Sequence, residues 1–91
     1  PRYLVERTFP EGLDIPSGLS GREIIGSIIG CNSDRHVTWV HSYVSRDRLT
    51  TYCIYDAPSP EAIRLTARAN GLPVDRITEI SVLDPYAFHV S

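Results

Sequence analysis

Val37 to Asp56 reads V-T-W-V-H-S-Y-V-S-R-D-R-L-T-T-Y-C-I-Y-D and has the pattern of a β-hairpin. β-Branched and aromatic residues fill two runs, and the polar segment Ser45-Arg46-Asp47-Arg48 separates them. Side chains alternate along a strand. In the first run Thr38, Val40, Ser42 and Val44 therefore share one small, aliphatic side. Val37, Trp39, His41, Tyr43 and Ser45 share the other, which is large, aromatic and able to hydrogen-bond. Ile54 is the only aliphatic residue of the second run, so it is assigned to the core with Val40 opposite it. That pairing needs a loop of about three residues, a common hairpin length. It sets Cys53 opposite His41 and Tyr55 opposite Trp39, on an open working face. A slip of one residue would exchange the faces.

The flanking segments supply two more strands and two helices. Tyr3 to Phe9 predicts a strand with Val5 toward the core and Glu6 toward the open face, ended by Pro10. A Gly/Pro-rich loop follows to Leu19. Ser20-Gly21-Arg22-Glu23 is a capping box, and Ile24, Ile25, Ile28 and Ile29 recur at helical spacing. Gly26 and Gly30 share one stripe, expected to lie close against the sheet, and the helix is expected to end near Cys31 or Asn32. Ser59 caps a second helix, with Pro60 at its first position and Glu61 complementing the dipole. Ala62, Ile63, Thr66 and Ala67 form its buried stripe; Gly71 and Pro73 stop it. Arg76 to Leu83 predicts the last strand, with Ile80 and Val82 facing the core and Ile77 and Glu79 facing the other way. Tyr86 to Ser91 reads as a tail, loose or docked on a partner.

The element order β-α-β-β-α-β, with right-handed crossovers, gives a single α+β domain over residues 1–91: a ferredoxin-like sandwich. Its antiparallel sheet has strand order 4-1-3-2, with both helices on one face. The other face, carrying Trp39, Tyr43 and Tyr55, is large enough to require a cover. A second copy packed face to face would supply one, so a homodimer of the dimeric α/β-barrel kind is expected.

Composition narrows the function. The net charge of -2 and the lack of a basic cluster argue against a nucleic-acid partner. All 9 basic residues are Arg, so no lysine amine exists for Schiff-base chemistry. Cys31 and Cys53 have no C-x-x-C spacing, and a disulfide scaffold of this size usually carries more cysteines. No apolar run reaches membrane-spanning length and the opening residues carry no signal-peptide pattern. A cytoplasmic protein with reduced thiols and no membrane partner is expected.

The blocks P-R-Y-L-V-E-R, V-T-W-V-H-S-Y-V-S, Y-C-I-Y-D-A-P-S-P-E-A-I-R and N-G-L-P-V-D-R-I-T-E-I together resemble a family of small bacterial domains of largely unknown function. That family includes a nickel-binding, nickel-responsive protein of streptomycetes. The resemblance covers nearly the whole chain. It implies a ferredoxin-like dimer and binding of divalent nickel.

The donor choices rest on chemistry. His41 leads, since neutral imidazole suits nickel, copper and zinc. Glu6 and Glu79 come next, as carboxylates expected together on the open face, where two like charges require a proton or a cation between them. Strand three separates them from His41, about 10 Å within one subunit, and a dimer could bring the groups together from opposite chains. Asp34 and His36 form an i, i+2 carboxylate–imidazole pair beside the hairpin, with His89 in the tail. The metal set is thus His41, Glu6, His36 and Asp34. Against each stands a plainer role: a half-buried histidine at an interface, or solvated and Arg-paired carboxylates. The competing function is a cofactor-free enzyme, of oxygenase or isomerase type, with His41 as base and Tyr43 or Glu6 as acid. No Gly-rich phosphate loop, H-E-x-x-H or EF-hand pattern is present.

Overall fold

The hairpin forms from β2 (Thr38–Val44) and β3 (Thr50–Asp56), and its turn sets the faces of the whole sheet. The computed structural model describes residues 1–13, 19–87 and 89–90; residues 19, 20, 31, 89 and 90 are described through their backbone only. Ser45 N–H donates to Thr50 O at 2.9 Å, which leaves a loop of four residues, Arg46 to Leu49. Asp47 organises that loop: its carboxylate accepts from Ser45 Oγ at 2.6 Å and from Leu49 N–H at 3.0 Å. These two bonds, the hydroxyl first, hold the Asp47 carboxyl below the ordinary carboxylate range.

The loop is one residue longer than the sequence pattern suggests, and a β-bulge absorbs the difference. Next to the turn, Val44 pairs with Thr51, Tyr43 with Tyr52, Ser42 with Cys53 and His41 with Ile54. The register shifts between Trp39 and His41, beyond which Trp39 pairs with Tyr55 and Thr38 with Asp56. The expected Trp39–Tyr55 pair is present. The expected Cys53–His41 pair is not. Because the bulge inserts one residue, Trp39 and His41 no longer share a face.

β1 (Arg2–Thr8) runs antiparallel to β3 on one side and to β4 (Arg76–Ile80) on the other, giving the order β2-β3-β1-β4. This is the anticipated 4-1-3-2 order read from the opposite edge, the ferredoxin-like arrangement. Val5, 0 % exposed, pairs with Cys53 and Ile77; Tyr3 pairs with Tyr55 and Glu79. These rows face the helices. The core is Tyr3, Val5, Val37, Cys53, Tyr55, Ala57 and Ile63, with Trp39, Ala62, Val74 and Ile77 packed against it. Val5 is inward as expected. Cys53, Tyr55 and Trp39 are also inward, and Ile54 lies on the open face, the reverse of the expected assignment. Ile77 likewise faces the helices and Ile80 does not.

α2 (Pro60–Asn70) follows its sequence signals closely. Ser59 Oγ accepts from Ala62 N–H at 3.3 Å, Pro60 opens the helix, and Gly71 closes it in the left-handed region at φ 68°. Ile63, Thr66 and Ala67 are its buried stripe. α1 (Leu19–Asp34) is longer than expected at its C-terminal end. It stops in a Schellman motif: Val37 N–H donates to Asn32 O at 2.8 Å and His36 N–H to Ser33 O at 3.0 Å, with His36 at φ 60°. α1 also starts earlier than expected, at Leu19, so Ser20 lies in its first turn and not at the N-cap; its side chain lies outside the described residues. Gly26 and Gly30 do not approach the sheet; a Cβ at either would meet nothing within 4 Å. Beyond β4, Leu83–Asp84 (β5) pairs with His89–Val90 (β6) in a separate ribbon, where the sequence suggested a tail.

Candidate functional site

Two surfaces of the sheet have the makings of a site, and they lie on opposite faces. On the open face the registers align three rows across the strands. One row is Thr38, Asp56, Arg2 and Ile80; the next is His41, Ile54, Leu4 and Thr78; the third is Tyr43, Tyr52, Glu6 and Arg76. His41 is exposed on the edge strand and meets Tyr43 edge-on, with ring centroids 5.1 Å apart. Tyr43 is 62 % exposed and Tyr52 is also exposed.

The carboxylates of this face have arginine partners. Glu6 lies 3.9 Å from Arg76 Nε. Asp56 accepts from Arg2 Nε at 3.1 Å and Nη2 at 3.0 Å, a bidentate pair. The Arg2 hydrogen bond holds the Asp56 carboxyl below the usual carboxylate range, against a smaller opposing effect of burial. The arginine beside Glu6 is therefore Arg76; Arg7 is on the other face.

The sequence-derived donors are not gathered in one place. His41 and Glu6 share the open face but sit on β2 and β1, with β3 between them, about 10 Å of sheet. Glu79, expected beside Glu6, shares its row with Tyr3 on the helix side. Asp34 ends α1 and His36 is its left-handed stop residue, both exposed. Among the described residues, no group of three or more His, Cys, Asp and Glu side chains could hold a metal ion. The described donors of one chain thus do not make up a nickel site.

On the helix face, a cavity of about 280 Å³ opens between α1 and the sheet. Ile25, Ile28, Trp39 and Leu72 supply apolar wall, and Arg7, Ser42, Thr51, Cys53 and Tyr55 also line a cavity whose surface is overwhelmingly apolar. Trp39 Nε1–H donates to Ser42 Oγ at 2.8 Å, so the bulge places both on this side. Arg7 is 3 % exposed. Its Nη2 donates to Tyr55 Oη at 3.2 Å and its Nη1 to Pro73 O at 3.4 Å, and the guanidinium sits 5.7 Å from the Tyr55 ring centroid. Burial pushes the Tyr55 phenol up to about 12, with the nearby Arg7 charge pulling the other way. The enzyme reading needs His41, Tyr43 or Glu6 in a pocket. None of the three lines this cavity, because all belong to the opposite face. Sequence reading missed Arg7 as a site residue. Its signal was an arginine two positions from Val5, on the same side of one strand.

The sheet order, the helix pair and their common face define a ferredoxin-like α+β domain with a bare sheet face. The chain belongs to the family described as nickel responsive protein SCO4226-like, whose model matches residues 3–80. The crystal structure of SCO4226 from Streptomyces coelicolor A3(2) matches with a TM-score of 0.68 at 18 % identity, over 88 % of this chain and 95 % of that one. No curated protein matches. Among the described residues no helix is long and apolar enough to cross a membrane.

Proposed function

We propose that this protein binds nickel, or a similar divalent cation, as a two-fold dimer closed through the open sheet face, and so sequesters or reports the metal. The observation that carries this reading is the open face itself. It holds the imidazole of His41 and the carboxylate of Glu6 among exposed Tyr43 and Tyr52, with Ile54, Leu4 and Ile80 half-buried beside them. An apolar, hydrogen-bonding patch of this kind favours a protein partner. In an isologous dimer each donor occurs twice on the shared surface, so a donor set that is too sparse in one chain is doubled. Family membership supports nickel as the first metal to test. The Glu6–Arg76 pair, 3.9 Å long with Arg76 exposed, is worth little, so a cation can replace Arg76 at low cost. Asp34 and His36 form a second, peripheral pair of donors.

Equilibrium dialysis against nickel, followed by metal analysis and sedimentation, tests this. Wild type is expected to retain nickel as a dimer. His41→Ala and Glu6→Gln are expected to weaken retention at least about tenfold, the scale of a lost ligand or its supporting contact. His36→Gly is expected to affect only a weaker equivalent. Retention unchanged in His41→Ala, or no retention by wild type, would sink the proposal.

A further inference from the structure

We infer that the cavity beneath α1 is a binding site for a small apolar carboxylic acid, its carboxylate held by Arg7 and its hydrocarbon part lying against Trp39, Ile25 and Ile28. This site is on the other side of the sheet from the proposed metal donors and does not depend on them.

Arg7 is the starting point. Its side chain is buried, and among the described residues no carboxylate lies within 4 Å of it. A buried guanidinium without a counter-charge is costly. Its protein acceptors are a neutral phenol at 3.2 Å and a carbonyl at a long 3.4 Å. A guanidinium has five N–H donors in a planar fork, so two such bonds leave donors over. The fork matches a carboxylate, which it holds with two parallel bonds.

The cavity selects the rest of the ligand. One cation neutralises one negative charge, so a monoanion fits better than a phosphate or a dicarboxylate. At about 280 Å³ the space is at the lower end for small-molecule sites. Its walls are mainly aliphatic and aromatic, so the remainder of the ligand must be apolar. The hydroxyls of the lining residues Tyr55 and Ser42 already accept from Arg7 and Trp39, so the Arg7 fork is the group left to fix an acid. Val44 is 45 % exposed, and Ile25, Ile28 and Phe9 are half-buried at the rim, so the cavity communicates with solvent. The cation, the apolar walls and the entrance together describe a receptor for an acid of the size of phenylacetate.

Trp39 is the only tryptophan, so its fluorescence reports on this cavity alone. Phenylacetate and isovalerate are titrated against the full chain, with phenylacetamide as the uncharged match. Both acids are expected to change Trp39 emission saturably and to raise the unfolding temperature. The amide is expected to bind at least tenfold more weakly. Arg7→Gln is expected to abolish the preference for acid over amide. Ile28→Phe, which narrows the cavity from the α1 side and keeps Trp39 the only tryptophan, is expected to weaken both. If Arg7→Gln fails to fold, the wild-type comparison of acid with amide decides alone. Equal binding of acid and amide, or no response to either acid at millimolar concentration, overturns the inference. Nickel dialysis is run beside these titrations; loss of nickel retention with the acid preference intact would defeat the metal reading and leave this one standing.

Discussion

The two faces of the sheet carry similar side chains and meet opposite fates. The covered face buries Tyr3, Val5, Arg7, Cys53 and Tyr55, a set with two phenols and a cation. The open face leaves Leu4, Ile54, Ile80 and Tyr43 partly or largely in solvent. Hydrophobicity alone would not choose between them. What separates them is where the helices land and whether the polar tips find partners. Inside, the Tyr55 hydroxyl accepts from Arg7, which keeps further donors for the cavity. On the open face the charges pair at the surface, Arg2 with Asp56 and Arg76 with Glu6. A strand with a polar tip can therefore enter a core provided the tip is answered there.

The largest expected contrast between the faces is energetic. Ile63 of α2 is 1 % exposed against the covered face. Ile63→Ala is expected to cost about 2–5 kcal/mol in urea denaturation, at any protein concentration. Ile54→Ala, on the open face, is expected to cost less than about 1 kcal/mol in dilute solution. Its cost should rise with protein concentration if a second copy covers that face. Equal costs for the two variants at all concentrations would erase the distinction.

A second contrast is one of pH. The Tyr55 phenol is raised to about 12 in the folded chain, against about 10 unfolded. Below pH about 10 both states keep the proton and the contribution is fully present. As pH rises from there to about 12, the unfolded chain releases its proton first, and about 3 kcal/mol of stability is progressively lost. Urea midpoints measured between these pH values should fall steeply in wild type. The fall should be shallower in Tyr55→Phe. An identical slope in the two would remove Tyr55 from the account.

The contrast between the faces also explains which features were legible in the sequence. Strand order and both helices followed from element order and crossover handedness, because those depend on pattern and length. Ser59, Pro60 and Gly71 marked the ends of α2 because each acts on its own neighbours. The choice of face was not legible. It turned on a four-residue loop and a compensating bulge near Val40, and no local signal announces an inserted residue when Trp39, Val40 and His41 all suit a strand. Placing Ile54 inside assumed that the core would be aliphatic. The true core sets Tyr3 and Tyr55 among Val5, Val37 and Ile63, and the Tyr55 hydroxyl is answered by Arg7, 48 residues away in sequence. The stop at His36 was missed because the left-handed position usually belongs to glycine. Of the donor residues, His41 and Glu6 were correctly expected on the open face, although by way of a hairpin register that the bulge altered.

The smallest expected effects come from the unequal covers of the helix face. α2 seals its half with Ile63, Thr66 and Ala67, whereas α1 spans a cavity and turns Ile24 and Ile29 partly to solvent. On α1, Gly26 and Gly30 face open space, where neither a turn nor a close approach requires glycine. Each is exposed in a helix interior, so replacement by Ala should stabilise the protein by roughly 0.5–1 kcal/mol, mainly by reducing the freedom of the unfolded chain. The double variant should sum the two gains within about 0.5 kcal/mol unless the sites couple. Because neither residue lines the cavity, Trp39 emission and its response to phenylacetate should stay as in wild type. A loss of stability instead would mean that the outer side of α1 is covered in solution and is itself a contact surface.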